Sequence, residues 1–267
     1  MARANRHHIP GYVWHITHRC HKREFLLKFD KDKKQWRDWL FETKKRFGLC
    51  ILNYTITSNH IHLLVYDRKY DVIPRSIQLI AGRTAREFNR RKKRKGAFWE
   101  DRYHATAVQT GSHLIRCLVY IDLNMVRACV VSHPGEWAFS GYNELQHPKQ
   151  RYAIIDRERL SRLLGMKDDG ELSRFHHKWV ENVLASGSTC RERKWSESIA
   201  IGDKAFVQAT KSELGGRALG RKISGEHEDY QLRETCEPYN SIFDAEKRVL
   251  RQNNSYVWDY NRMNTIT

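Results

Sequence analysis

Short apolar strands and helices with one apolar face alternate through the first 150 residues. Residues 11–19 are rich in aromatic and β-branched types, which is typical of a strand. Residues 30–47 carry apolar side chains at helical spacing and are followed by Gly48, a common helix terminator. Strands are predicted again at 49–57 and 60–66, joined by a tight turn at Ser58 and Asn59.

A helix opened by Pro74 and a fourth strand within residues 97–109 are predicted next. Ser112 then begins a third helix, because apolar residues recur every three or four positions after it. The order β-α-β-β-α-β followed by a helix predicts an α+β fold of the ferredoxin-like type with an antiparallel sheet. Many unrelated functions use this topology, so it does not identify one by itself.

The periodic signal weakens after residue 150. Helices are predicted over 156–165, over 171–185 and from Asp203 to Leu214, whereas residues beyond about 222 are polar and aperiodic. We therefore predict three parts: a folded domain at residues 1–165, a helical accessory segment at 166–222 and a loosely ordered tail at 223–267.

Positive charge is concentrated in the first of these parts. The chain has 267 residues, with 48 Lys and Arg against 31 Asp and Glu, and a net charge of +17. Residues 1–165 contain 32 of the basic and 15 of the acidic residues, so the remainder is balanced. This excess predicts a polyanionic partner such as nucleic acid, bound before residue 166. Charge alone says nothing about catalysis.

Cysteine spacing and hydropathy indicate the compartment. The six cysteines form no Cys-x-x-Cys pair, which favours reduced thiols over disulfides; they are Cys20, Cys50, Cys117, Cys129, Cys190 and Cys236. No apolar run approaches the roughly 20 residues of a membrane span, and the N-terminus lacks the apolar region of a signal peptide. We therefore expect a soluble, cytoplasmic protein without a membrane partner.

His60 and His62 share one face of the third predicted strand, because side chains alternate along a strand. Ile61 then points into the core. Two imidazoles on one face can bind a single metal ion, but two ligands do not complete a site. The alternative is an exposed strand face that happens to carry two histidines, and for an isolated His-x-His it is the commoner explanation.

The third predicted helix offers further groups for such a site. Arg116, Tyr120, Asn124 and Arg127 form one stripe, distinct from the apolar face. The amide could complete a metal shell, the phenolate could attack phosphorus, and the guanidinium groups could hold phosphate oxygens. The alternative is a boundary tyrosine with its ring against the core and its hydroxyl in water, which the helix alone favours.

Several short blocks occur in a fixed order over residues 10–142. They are Pro10-Gly11-Tyr12-x-x-His15-Ile16-Thr17-x-Arg19, Asn59-His60-Ile61-His62-Leu63-Leu64-Val65, Phe88-Asn89, Phe98-Trp99-x-x-Arg102-Tyr103, Tyr120-Ile121-x-Leu123-Asn124-x-Val126-Arg127-Ala128 and Trp137-x-x-Ser140-Gly141-Tyr142. In these blocks the chain resembles the single-tyrosine HUH transposases of insertion sequences, especially the REP-associated tyrosine transposases.

The resemblance implies roles for four residues. His60, His62 and Asn124 would bind Mg²⁺ or Mn²⁺, and Tyr120 would be the nucleophile. It also implies a single-stranded or hairpin DNA partner, a bacterial cytosolic location and a monomer or homodimer. The 1–165 domain would then be the HUH nuclease domain. Met125 stands where the family has Pro, and this departure predicts a longer or stiffer tyrosine helix.

Contacts with the DNA backbone are predicted for basic residues in and around these blocks. They are Arg19, Arg83, Arg86, Arg90, Arg91, Lys92, Lys93, Arg94, Lys95, Arg102, Arg116 and Arg127. A merely solvated linker is the alternative for the run from Arg90 to Lys95. Phe98, Trp99 and Tyr103 could stack on unpaired bases, although core packing is expected for at least two of them.

Together these features predict a metal-dependent DNA transesterase that cleaves and rejoins single strands through a 5′-phosphotyrosine. Two alternatives stay open from the sequence: an inactive protein that only binds hairpins, and a metal-dependent nuclease that activates water. RNA-recognition modules share the topology but stack bases on aromatic side chains, whereas the third strand here carries histidines in that place.

Overall fold

Seven strands form one sheet in the computed structural model of the chain, which describes residues 8–187 and 190–234. The strands are β1 Val13–Arg19, β2 Cys50–Ile56, β3 His60–Tyr66, β4 His104–Val108, β5 Ala200–Gly202, β6 Arg221–Glu226 and β7 Asp229–Glu234. Their order across the sheet is β2-β3-β1-β4-β5-β7-β6.

Nine α-helices accompany the sheet within the described residues. They are α1 Asp30–Phe47, α2 Val72–Arg91, α3 Ser112–Asp122, α4 Asn124–Arg127, α5 Tyr142–Gln146, α6 Arg157–Leu164, α7 Asp169–Ala185, α8 Lys194–Glu197 and α9 Lys204–Leu214. Short 3₁₀ turns lie at His21–Arg23, Pro134–Glu136 and Gly215–Ala218. None of the described helices is both long and apolar enough to cross a bilayer.

The first four strands confirm the predicted ferredoxin-like arrangement. β1 pairs antiparallel with both β3 and β4, and β2 pairs antiparallel with β3. The register places Thr17 opposite His62 and Arg19 opposite His60. His15 is therefore a diagonal cross-strand neighbour of His62, close enough for the two side chains to interact.

The predicted tyrosine helix is interrupted, so the expectation that the missing proline makes it longer or stiffer is wrong. α3 ends at Asp122, and α4 begins at Asn124 after Leu123 (φ −77°, ψ 6°). In an uninterrupted helix the Tyr120 carbonyl would accept from the N–H of Asn124. Here the Arg127 guanidinium donates to that carbonyl instead. A side chain inserted into the ladder breaks the helix without proline.

The C-terminal part extends the sheet beyond the four predicted strands. β5 pairs parallel with β4, and the β6–β7 hairpin joins it antiparallel through β7. The expectation of a loosely ordered tail is therefore wrong for residues 223–234, where Leu232 is fully buried against the sheet. Residues 235–267 lie outside the described part of the chain. The boundaries at residues 165 and 222 stay a prediction.

Gly141 lies where the segment before α5 passes closely over β2. Its N–H donates to the Tyr54 carbonyl at 2.7 Å. A Cβ at this position would lie 2.8 Å from Ile155 Cδ1 and closer still to Asn53 Oδ1. We expect Gly141→Ala to lower the free energy of unfolding by about 1–3 kcal/mol in urea denaturation, because these buried atoms must move.

Gly82→Ala is the matched control for that prediction. Gly82 lies within α2, and a Cβ there meets no atom within 4 Å. Alanine favours a helix over glycine by about 0.5–1 kcal/mol, so this variant should be slightly more stable. Equal losses in both variants would contradict the close approach at Gly141.

Candidate active site

An open pocket of about 450 Å³ brings together the four residues predicted to carry chemistry. β3 contributes His60 and His62, the last turn of α3 contributes Tyr120, and α4 contributes Asn124. The break at Leu123 separates the two helical residues, so they do not lie on one continuous helical stripe. All four nevertheless face the same space within a single chain.

His62 is the best-connected of the four side chains. Its Nδ1 lies 2.9 Å from His15 Nε2, and its Nε2 lies 2.8 Å from Asn124 Nδ2. The Tyr120 ring meets it edge-on, with 5.9 Å between ring centroids. The His62 ring is therefore held on two edges and one side before any ligand arrives.

His60 presents one ring nitrogen to the pocket and uses the other for support. Its Nδ1 lies 2.7 Å from Asn59 Oδ1 and 3.0 Å from Thr57 Oγ1. Because an amide oxygen can only accept, Nδ1 carries the proton and Nε2 keeps its lone pair. The His60 and His62 rings are nearly perpendicular, with centroids 5.0 Å apart.

Burial keeps both imidazoles neutral. Loss of hydration lowers the pKa of His60 to about 4, and it lowers the pKa of His62 well below its usual range. Neutral imidazoles are the form that binds metals, so two unprotonated nitrogens beside the Asn124 amide suit a divalent cation that accepts nitrogen and oxygen. Among residues 8–187 and 190–234, no cluster of three or more His, Cys, Asp or Glu side chains offers a metal site.

Tyr120 is buried, with its hydroxyl-bearing ring against three neighbours. Arg127 Cζ lies 4.0 Å from the ring centroid, and the rings of His15 and Trp195 lie 6.2 and 5.9 Å away. Loss of hydration raises the pKa of Tyr120, while the positive charges of Arg127 and Arg191 act in the opposite direction. Burial therefore has a larger effect on the pKa of Tyr120 than the two arginines have.

Three of the predicted DNA-binding residues line this pocket: Arg19, Arg102 and Arg127. Arg19 also forms an ion pair with Glu100 at 3.7 Å, so the rim contains acidic as well as basic groups. Arg116 does not join them. It pairs with Asp229 at 3.4 Å, which removes it from the stripe predicted with Tyr120.

The other predicted DNA-binding residues lie on α2 and the turn after it. Several have partners within the chain. Two lie over aromatic rings, Arg83 over Trp39 and Lys92 over Phe29. Arg86 donates to the Gly82 carbonyl, and two form ion pairs, Arg91 with Asp32 and Arg94 with Glu24. Arg90 lines a second cleft between α1 and α2, and Lys93 and Lys95 are exposed. None of these residues lines the pocket of His60 and Tyr120.

The predicted base-stacking aromatics are mostly core residues. Phe98 and Tyr103 are buried, as expected for at least two of the three. Trp99 is half-buried and stacks on His18, with 4.0 Å between ring centroids. His18 lines the pocket and Trp99 does not, so Trp99 contacts the pocket wall through His18.

The sequence did not identify the contribution of the C-terminal part to this site. Arg191 and Ser196 line the pocket, and Trp195 packs on Tyr120. His15 was given no role of its own from the sequence, although it lies two positions before Thr17 and therefore on the same face of the strand.

The neutral histidines make the metal-free protein sensitive to acid. Above pH 6.5 they are uncharged both folded and unfolded. As the pH falls below 6.5, these histidines bind protons in the unfolded chain. In the folded chain they stay neutral, because burial lowers the pKa of His15 to about 3 and that of His60 to about 4. We expect the free energy of unfolding to fall between pH 7 and 5 by about 1–2 kcal/mol for each such histidine.

Urea unfolding in EDTA at both pH values measures this loss. His60→Gln cannot titrate there, so its difference between pH 7 and 5 should be smaller than that of the unchanged protein. An identical pH dependence in the two proteins would show that His60 is not held neutral by burial.

Part of the chain is similar to known transposases. A family model described as IS200-like transposase matches residues 9–124. A REP-associated tyrosine transposase bound to a REP hairpin shares 19% identity, over 58% of this chain and 90% of that one, with a TM-score of 0.45. A putative transposase from Deinococcus radiodurans R1 shares 18%, over 39% and 83%, with a TM-score of 0.31. No curated protein matches the chain.

The family match spans the pocket described above. It begins before β1 and ends at Asn124, so it includes His60, His62 and Tyr120. The match also confirms the resemblance seen in the sequence blocks. Residues 9–124 of the chain are therefore similar to the IS200-like transposase family.

Proposed function

We propose that this protein is a metal-dependent single-stranded DNA transesterase, which cleaves and rejoins hairpin-containing DNA through a phosphotyrosine on Tyr120. The observation that carries the proposal is the meeting of a tyrosine, two neutral histidines and an amide in one pocket. Nucleophilic catalysis requires an attacking group and a stabiliser of phosphoryl charge within reach of the same phosphate.

His60 Nε2, His62 Nε2 and the Asn124 amide would hold the metal. A divalent ion bound there supplies charge neutralisation and polarisation at the scissile phosphate. Three protein ligands leave coordination positions for water and DNA. Since imidazole suits Mn²⁺ better than Mg²⁺, Mn²⁺ should support activity at least as well.

Tyr120 supplies the nucleophilic oxygen. In the proposed step its Oη forms a bond to phosphorus, the bond from phosphorus to the 3′ oxygen breaks, and the tyrosine proton ends on the released 3′-hydroxyl. Arg127 lies against the Tyr120 ring and lowers the free energy of the phenolate that burial alone would disfavour. Because the product is an ester of similar energy, attack by a 3′-hydroxyl rejoins strands without ATP.

The charged rim suits a single strand that passes over the pocket. Arginines surround the His60–Tyr120 centre from several elements: Arg19, Arg23, Arg102, Arg127 and Arg191. Guanidinium groups bind phosphate oxygens in pairs and without sequence preference. The basic surface of α2 and the turn after it, which includes Arg90 and Lys95, would follow the DNA backbone further out.

A single chain contains every group that the reaction requires. His62 and Asn124 are in direct contact within the chain, so no exchange of a helix between protomers is needed. We therefore propose a functional monomer, and the family resemblance supports a bacterial cytosolic location. Comparing cleavage rates per chain across a hundredfold range of protein concentration tests this: a constant rate per chain supports a monomer, and a rate per chain that rises with concentration would favour a dimer.

The function is tested with a library of labelled single-stranded hairpin oligonucleotides carrying short unpaired ends, incubated with the protein and Mn²⁺. A protein–DNA adduct that resists denaturation supports the proposal. Cleavage without an adduct would favour a nuclease that uses water. Binding without cleavage in Mg²⁺ and in Mn²⁺ would favour a protein that only binds hairpins.

A further inference from the structure

A chain of three hydrogen bonds connects the C-terminal part of the protein through His15 and His62 to Asn124. The backbone carbonyl of Trp195 lies 2.9 Å from His15 Nδ1, and His15 Nε2 lies 2.9 Å from His62 Nδ1. His62 Nε2 lies 2.8 Å from Asn124 Nδ2. His15 is 0% exposed and His62 is 4% exposed, so bulk water cannot replace these partners.

The partners fix where each proton lies along this chain. A carbonyl oxygen only accepts, so His15 Nδ1 carries the proton and donates to Trp195. In a neutral ring the other nitrogen is then an acceptor, which requires His62 Nδ1 to donate to it. His62 Nε2 is left with its lone pair, which accepts from the Asn124 amide in this structure.

We propose that His15, held by the Trp195 carbonyl, is a positioning residue that sets the tautomer and ring orientation of His62. The Nδ1–H form is the only one that leaves Nε2 free to bind a metal in the pocket. Metal-binding histidines are commonly oriented by a hydrogen bond to the opposite ring nitrogen. The inference rests on the proposed function, because it takes His62 as a metal ligand.

The Trp195 carbonyl is itself held firmly by the sheet. The Trp195 side chain is fully buried and packs on Tyr120. Three residues further on, the Ser198 carbonyl accepts from Thr106 Oγ1 on β4 at 2.6 Å, and β5 then pairs with β4. The C-terminal extension therefore contributes to the site through a backbone atom that charge and sequence motifs could not reveal.

Nitrogen NMR of the histidine rings tests this in the metal-free protein at about pH 8, where imidazoles are neutral. His62→Gln identifies the His62 signals by their absence. In the unchanged protein we expect His62 protonated on Nδ1, although an imidazole in water favours the Nε2–H form. His62 protonated on Nε2 would overturn the proposal, whatever the variants below do.

Two variants at His15 separate positioning from packing. His15→Phe removes the acceptor, so His62 should convert to the Nε2–H form, and Mn²⁺ affinity should fall about 10–100-fold. His15→Gln places an amide oxygen near the former Nε2, so it should retain the Nδ1–H form and most of the affinity. An unchanged tautomer in His15→Phe, or equal losses of affinity in both variants, would contradict a positioning role.

These readouts are independent of DNA cleavage. If the tautomer is as expected but no adduct with DNA forms, the proposed function fails while the positioning geometry stands. If adducts form and His62 is protonated on Nε2, only the role of His15 is wrong.

Discussion

Replacing Tyr120 with phenylalanine should abolish the covalent adduct with DNA and reduce cleavage by at least about 1,000-fold, because the attacking oxygen is removed. The ring contacts with His62, Trp195 and Arg127 remain, since they involve the ring rather than the hydroxyl. The free energy of unfolding should therefore change by less than about 1 kcal/mol. Denaturing gels with labelled DNA and urea unfolding measure the two effects separately.

Tyr66→Phe is the matched control. Tyr66 is half-buried, lies at the far end of β3 and does not line the pocket. It should form adducts at the rate of the unchanged protein. If Tyr120→Phe still cleaves DNA and the product carries no protein, then water is the nucleophile and Tyr120 is incidental.

Replacing His60 with alanine should have the second largest effect. It removes one of the two proposed imidazole ligands while leaving the hydrogen bonds between His62, His15 and Asn124 in place. We expect Mn²⁺-dependent cleavage to fall by at least about 100-fold, because loss of a direct ligand exceeds the effect of losing an outer partner. DNA binding in EDTA should be nearly unchanged, since the proposed phosphate contacts involve the arginines rather than His60.

His133→Ala controls for removal of a half-buried, hydrogen-bonded histidine outside the pocket. His133 bonds Glu181 at 3.0 Å and lies before α5. Its variant should retain full activity at every Mn²⁺ concentration. If His60→Ala is as active as His133→Ala, or if EDTA does not stop cleavage by the unchanged protein, the metal assignment is wrong.

The four-stranded half of the fold could be predicted because its periodicity is strong and local. β3 matched its predicted bounds, and α1 began and ended where Asp30 and Gly48 indicated. The three-residue strand β5 had no such signal, since its place depends on pairing with β4, more than 90 residues away. The hairpin from residue 221 was missed because its strands are polar, and Leu232 is the only apolar side chain buried among residues 221–233.

The site was predicted more completely than its surroundings. Strand alternation placed His60 and His62 on one face, and helical spacing offered Tyr120 and Asn124. Arg116 shared that spacing but pairs with Asp229 of the unforeseen hairpin, which no local pattern could indicate. Asp122 is buried and does not line the pocket; its carboxylate lies 3.0 Å from Asn53 Nδ2 and 2.8 Å from His176 Nε2.

The break after Asp122 shows how a local rule can fail for a physical reason. Replacement of proline by Met125 suggested a longer helix, because proline is the usual helix breaker. The helix is nevertheless broken here, since the Arg127 guanidinium donates to the Tyr120 carbonyl and also lies over the tyrosine ring. One arginine thus sets both the turn that aims Asn124 and the charge beside the proposed nucleophile.

Mass spectrometry of the DNA-linked peptide tests the central claim most directly. After incubation with single-stranded hairpin DNA and Mn²⁺, the protein is digested with protease and the DNA with nuclease. We expect one modified peptide that contains Tyr120, with a nucleotide joined through its 5′ phosphate to the tyrosine oxygen. A nucleotide on any other residue, or cleaved DNA with a free 5′ phosphate and no modified peptide, would contradict the account.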